Sequence, residues 1–547
     1  MPDWLTTLIL ALPLLGLIVV MTKPRPMPAS LALPLAALVL YGLKLLLPPT
    51  DTRLVNAAVV NGLLAALAPL MVVWGAVLLF RTMEQTGATD VIRRWLARLS
   101  PHPVSQLMIV GWSFSFLIEG ISGFGTPAAL AAPLLVAAGF PALRVALLAL
   151  IMNTVPVSFG AVGMPLWFGL GELDLDPAQL DEIGRRTALL HATAAPVIPL
   201  LALRMVVDWT VIRGALPFIL LSIAATVVPY VVAAWWNPEF PAIAGGAIGL
   251  VVTVWLARRG VGLGRQPAIA AEHPATVTAG DPGPPGPDTT APSRGELARA
   301  LFPIAATVLL LLVTRIEVLG LRTWLQALEP ALRADLGGLG ELGVSRSLVL
   351  QWQGILGSPL NWSHALLYVP SLLPFLLVSV VTMRLYRSPG AEVKSVFAES
   401  WQRIRRPLGA FLGALVFARL MMTGPGASPV QLLAGAMAEV AGPAWQGVAV
   451  LLGALGSFFS GSATVSNLTF GAIQLELAEL RGLDPTTILA LQSVGAALGN
   501  MVCIHNIVAV CSILGLQRAE GDILRRNTPP LLVYALITAG ASFLLFG

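Results

Sequence analysis

Long apolar runs, separated by short clusters of charge, dominate the chain. A bilayer core takes about 20 apolar residues as helix. Runs near 4–21, 28–47, 54–80, 141–163, 187–207, 215–235, 240–257, 300–320, 364–383, 407–423 and 530–546 meet that length approximately and are predicted to span. Two more regions, 104–139 and 444–516, are apolar but broken by Gly, Ser, Thr and Pro. The first run lacks a basic start and a small-x-small cleavage site, so it is expected to persist as a span. One stretch reads as a linker: 259–296 contains GDPGPPGPDTTAPS, which cannot bury a core. It separates a first membrane half, 1–258, from a second, 297–547.

Composition supports the same picture. Of 547 residues, 56% are hydrophobic and 11% are charged, and the mean hydropathy is +0.82. Soluble domains carry about a quarter charged residues, so a water-soluble enzyme is excluded. The net charge of +5 needs no nucleic acid, because basic cytoplasmic loops produce the same sum. Lys23 and Arg25, Arg81 to Arg98, Arg384 to Arg406, and Arg518 to Arg526 mark four basic loops. The segment 171–186 is acidic. An N-terminus outside places every basic loop in the cytoplasm and the acidic one outside. Cys503 and Cys511 make no disulfide framework. No His/Cys/Asp/Glu cluster has metal-ligand spacing and no P-loop is present, so neither metal nor cofactor is predicted.

The two broken regions share an order of features. GWSFSFLIEGISGFGTPAALAAPLL (111–135) and GALGSFFSGSATVSNLTFGAIQL (453–475) each pair an apolar helix with a Gly/Ser knot and a small-residue stretch. Downstream, MNTVPVSFGAVGMP (152–165) and GNMVCIHNIVAVCSILG (499–515) each carry an Asn before a polar interruption. Backbone groups in hydrocarbon must find partners inside the protein, so a mid-membrane break implies a cavity. Half-helix N-termini there attract anions. Small residues that merely allow close helix packing are the plainer reading of either knot alone; the pairing favours a substrate site.

Few ionisable groups lie inside apolar runs. Glu119, in FLIEGISGFG, is costly at membrane depth and marks an ion or substrate path, or else is satisfied by the knot's own amides. Low dielectric favours its neutral form, which suits proton exchange. Arg419, in ALVFARLMMTG, either grips a carboxylate, pairs with Glu119, or snorkels to the interface. His505 either titrates in proton coupling or hydrogen-bonds in the core, and His191 is a weaker candidate. Ser460 and Ser462 with His505 raise an intramembrane serine protease, but no G-x-S-x-G elbow is present and the first knot has no part in that scheme.

At these motifs the chain resembles the lactate permease family. The segment 107–140 is similar to that family's acidic residue followed by a G-F-G-x-P turn, and 152–165 to its N-T-x-P-V-x-F-G-x-x-G-x-P segment. GSATVSNLTFGAIQ (461–474) stands where the family has a Gly-Ser-Asp-Thr-Ser-x-Asn run. The resemblance implies a secondary transporter that takes up L-lactate, often D-lactate and glycolate, by proton symport across the bacterial inner membrane. It implies a site of Glu119, Gly123, Phe124, Gly125, Thr126, Pro127, Asn153 and Thr154, joined by Ser462, Thr464, Ser466 and Asn467. Ala463 replaces a family Asp, Asn500 a Lys, and Cys503 to Asn506 a Ser-Pro-Gln-Ser stretch. Either Arg419 takes over the cationic task, or the carboxylate or coupling ion differs, with Na⁺ the alternative.

The expected architecture is an all-α polytopic membrane protein of about 12–14 helices, in two inverted-topology halves with broken helices or re-entrant hairpins. A small 2-hydroxy carboxylate and a proton are the expected partners within a lipid bilayer. Glu119 and His505 are the proton-coupling candidates. An anion channel is the rival class. The oligomeric state is open, a homodimer included.

Overall fold

A computed structural model of the protein describes residues 3–22, 27–47, 51–123, 126–264, 291–315, 319–369, 371–424 and 428–547. Seven helices among the described residues are long and apolar enough to cross a membrane, from Ala29–Leu46 to Glu520–Phe546. Two more spans form if each bent pair counts as one: Ala142–Met152 with Val155–Trp167, bent by 45°, and Pro177–Ala194 with Ile198–Arg204, bent by 42°. The protein is therefore a multi-pass, mainly helical membrane protein. Its full-length spans are fewer than the apolar runs suggest, because several runs are divided into shorter helices.

The broken regions are resolved into helix pairs. Pro103–Ser122 stops at Gly123, whose φ of +61° only glycine adopts freely, and helix resumes at Thr126–Ala137. In the second region Trp445–Ser460 ends on Gly461, with φ +72°, and Ala463–Leu480 follows at once. Ser462 caps the new helix by accepting from the Val465 N–H. Pro485–Gly499 and Ile504–Ile513 complete the region. Asn153 and Asn500 occupy equivalent places, each directly after a helix (Ala142–Met152 and Pro485–Gly499) and before a turn.

Small residues let these helices approach closely. A methyl on Gly246 would strike the backbone of Leu117, and one on Gly495 the Val450 carbonyl. The first contact packs Pro241–Arg259 on the helix of Glu119, and the second packs Pro485–Gly499 on Trp445–Ser460.

The all-α expectation needs one amendment. Residues 331–365 form an antiparallel meander in the order β1 (Ala331–Asp335), β2 (Glu341–Ser345), β3 (Val349–Gln353) and β4 (Trp362–Ala365). Leu332 pairs with Val344, Val344 with Leu350, and Leu350 with His364. Asn61 Nδ2 donates to the Asn361 carbonyl at 2.9 Å, tying the meander to helix Thr52–Ala65. These strands have four or five residues each, too short to stand out beside membrane-length apolar runs. The run at 364–383 consequently begins in a strand, and its helical part starts at Ser371. The predicted linker is also shorter at one end. Ser293 and Glu296 form reciprocal capping bonds that start helix Arg294–Arg315 inside it. Residues 265–290 of that linker lie outside the described residues.

Candidate functional site

Glu119 sits on the last turn of helix Ser115–Ser122 and is 4% exposed. Its Oε2 accepts from Asn153 Nδ2 at 2.9 Å. A buried carboxyl group needs such a partner. Gly160 is matched to the same group: a methyl there would collide with Glu119 Oε1. The chain then makes a left-handed turn through Ala161, Val162 and Gly163, at φ 47°, 60° and 73°. A left-handed valine is costly by roughly 1–2 kcal/mol. The turn is held from outside, where Trp167 Nε1 donates to the Val162 carbonyl at 2.8 Å. Strain of this kind persists only where surrounding structure enforces it, and it concentrates at working sites.

This turn and both knots open on one small cavity of about 30 Å³. Glu119, Gly123, Asn153 and Gly160 to Ala161 line it from one side, and Gly461 to Thr464 from the other. Asn500 and Asn506 close the remaining wall. The first amides of a helix have no intrahelical acceptor. Here the Ala463 and Thr464 N–H groups have no backbone or side-chain acceptor among the described residues. A helix N-terminus, with its partial positive charge, therefore lies at the wall of a buried cavity opposite a carboxyl group.

A wider chamber of about 270 Å³ adjoins it and shares Asn153, Asn500 and Asn506. Its other end is lined by Glu84 and Arg403, both exposed. The small cavity thus lies at the inner end of a passage from one face of the protein. That face carries the basic loops at 81–103 and 384–406.

The second knot is rigidly mounted. Gln492 Nε2 donates to Ser466 Oγ at 3.1 Å and to Asn467 Oδ1 at 3.3 Å. Gln474 Nε2 donates to Gln492 Oε1 at 3.0 Å, and Trp445 Nε1 to Gln474 Oε1 at 2.7 Å. Asn467 Nδ2 reaches across to the Pro165 carbonyl at 2.8 Å. A second link runs through His191. Ser158 Oγ gives its single proton to the Ser493 carbonyl at 2.9 Å, so it accepts from His191 Nε2, also at 2.9 Å. That tautomer leaves His191 Nδ1 to accept from the Tyr534 hydroxyl at 2.6 Å.

Of the residues singled out from the sequence, the structure brings Glu119, Gly123, Asn153, Ser462 and Thr464 to the cavity. Pro127 and Thr154 are buried but do not line it. Ser466 and Asn467 belong to the mounting network behind it. Arg419 is elsewhere: its guanidinium pairs with Glu172, in the acidic segment. Burial raises the Glu172 carboxyl above the usual range, and the Arg419 charge opposes that rise. Ser460 donates to the Gly456 carbonyl at 2.8 Å, so its hydroxyl is engaged by its own helix. Phe124 and Gly125, and the side chains of Thr126 and His505, lie outside the described residues. Met164, Val157 and the Gln474–Gln492 pair were not singled out, and Asn506 was marked only as part of a departure from the family's pattern. Their only signal is a polar residue inside an apolar run, or an apolar residue beside a break.

A multi-pass helical protein whose broken helices meet at a buried polar cavity, reached by a passage from one face, has the layout of a membrane transporter. The comparisons make this specific. The chain belongs to the L-lactate permease family, whose sequence model matches residues 6–546. It is 45% identical over 533 residues to a putative L-lactate permease of Haemophilus influenzae, covering 97% of each chain. It is 26% identical over 500 residues to the glycolate permease GlcA of Escherichia coli, covering 88% of this chain and 85% of that one. Among solved structures, the YdaH transporter of Alcanivorax borkumensis aligns over 94% of this chain and 97% of its own, at 16% identity and a TM-score of 0.47.

Proposed function

We propose that the protein imports L-lactate, with D-lactate and glycolate as further substrates, by proton symport across the bacterial plasma membrane. One observation carries the reading: a buried carboxyl group and an open helix N-terminus face one small cavity. The two groups suit the two cargoes. The substrate carboxylate is met by the Ala463 and Thr464 amides and the helix dipole. Glu119 holds the proton, and Asn153 fixes its carboxyl. Coupling follows from charge: an ionised Glu119 beside an anionic substrate is disfavoured, so proton and anion load together.

The N-terminus is outside and the basic loops are cytoplasmic, so the chamber ending at Glu84 and Arg403 opens inward. The two halves are inverted repeats, supported by the equivalent placing of Gly123 with Gly461 and of Asn153 with Asn500. Rocking of one element against the other alternates access.

The test is uptake of radiolabelled L-lactate into proteoliposomes with an imposed pH gradient, competed by glycolate. Saturable uptake that follows the gradient is expected. Uptake driven equally by a sodium gradient reassigns the coupling ion. Flux that neither saturates nor depends on protons indicates a channel.

A further inference from the structure

We infer that the Asn153 carbonyl oxygen reads the 2-hydroxyl group of the substrate, which makes Asn153 a specificity-determining residue. The inference rests on the site reading above and assigns one contact within it. Asn153 lines both the small cavity and the wider chamber, so cargo passing between them passes its side chain. Its amide orientation is set by Glu119. Nδ2 donates to Glu119 Oε2, which accepts both as a carboxylate and as an acid protonated on Oε1. Oδ1 must then point the other way. It is shielded from solvent and has no hydrogen-bond partner among the described residues. No other buried side-chain atom lacking a partner among the described residues belongs to a residue lining either chamber.

A carbonyl oxygen only accepts, so its partner must bring an O–H or N–H. None of the neighbouring walls bonds it: Val157, Met164 and Pro165 offer apolar side chains, the Asn506 amide donates to Asn500 at 3.2 and 3.3 Å, and no hydroxyl or amide of Ser462, Thr464 or Asn500 reaches Oδ1. The substrate carboxylate cannot donate. A hydroxyl on the adjacent carbon can. An acid without it leaves Oδ1 unpaired, which is the arrangement that discriminates most strongly against an analogue lacking the group. A keto acid sets a second acceptor against Oδ1.

The experiment measures binding to the purified full-length protein in detergent, by calorimetry at one pH, for L-lactate, glycolate, propionate, acetate and pyruvate. Wild type is expected to bind L-lactate more tightly than propionate or pyruvate, and glycolate more tightly than acetate, by on the order of tenfold to a hundredfold. In Asn153→Ala the lactate-to-propionate ratio falls to about one, while the loss of the Glu119 partner weakens both acids alike. A merely structural role weakens both acids together, so a retained ratio in Asn153→Ala overturns the assignment. So does wild type binding propionate as tightly as lactate, and that comparison decides the matter if Asn153→Ala does not fold. Wild-type protein that binds lactate and carries it with the pH gradient, while the variant keeps the ratio, defeats this assignment alone. Wild type that binds none of these acids defeats the site reading as well.

Discussion

In the proposed mechanism proton coupling turns on Glu119, whose surroundings are built tightly around it. Glu119→Gln keeps a hydrogen-bonding side chain of the same length and removes the proton. The expected outcome is lactate exchange across vesicles without a gradient, and no accumulation when a pH gradient is applied. Full gradient-driven accumulation in that variant ends the proton role. Gly160→Ala places a methyl against Glu119 Oε1. Overpacking costs about 1–3 kcal/mol, so the variant is expected to lower the melting temperature and to cut lactate transport. At this scale the sequence was legible where chemistry is rare. An acid in an apolar run identifies itself, because membrane depth makes it costly. Asn506 and Gln492 were not legible, since an amide in a helix has the same appearance whether it lines a cavity or mounts a neighbour.

Elements decide how the two knots face each other. Ser462 is the cap of helix Ala463–Leu480, and its loss removes the acceptor of the Val465 N–H. Ser462→Ala should cost about 1 kcal/mol of stability, read as a lower melting temperature, while Ser462→Gly costs only a few tenths. Lactate affinity should fall in parallel as the helix end frays. Asn467 joins that helix to Pro165 on the opposite wall. Gly123 and Gly461 were visible in advance as breakers, and the structure gives both positive φ. The Ala161–Val162 turn was hidden, because nothing local in an alanine or valine announces left-handed backbone. The meander at 331–365 was hidden for a different reason: strands of four or five residues carry little periodic signal beside helices of about 20.

Across the whole molecule, ion pairs join parts far apart in the chain. Glu239 and Arg315 are buried together, with Arg315 Nε donating to Oε2 at 2.7 Å and Tyr368 to Oε1 at 3.0 Å. Gly163 of the strained turn packs directly on Pro238 and Glu239, so this pair braces the cavity wall. Breaking a buried pair leaves an uncompensated charge and costs about 3–5 kcal/mol. Glu239→Ala should therefore lower the melting temperature sharply, whereas Glu239→Leu with Arg315→Met should recover most of the loss. Equal damage from the single and double variants contradicts this account. Arg419 with Glu172 and Arg186 with Asp484 are further long-range pairs. The sequence marked Arg419 as a cation in an apolar run, but its partner lies 247 positions away and only folding could name it.

The sequence by itself determined the solvent and the class. Apolar length, scarce charge and paired breaks require helices in lipid around a polar interruption, since every backbone group there must be satisfied internally. What it left undetermined is which polar groups share the interruption. That depended on helix packing, which sent Asn153, Asn500 and Asn506 to one cavity and Arg419 to another part of the protein. Local preference chooses a helix and its ends; proximity between residues hundreds of positions apart is set by how the surfaces of those helices fit.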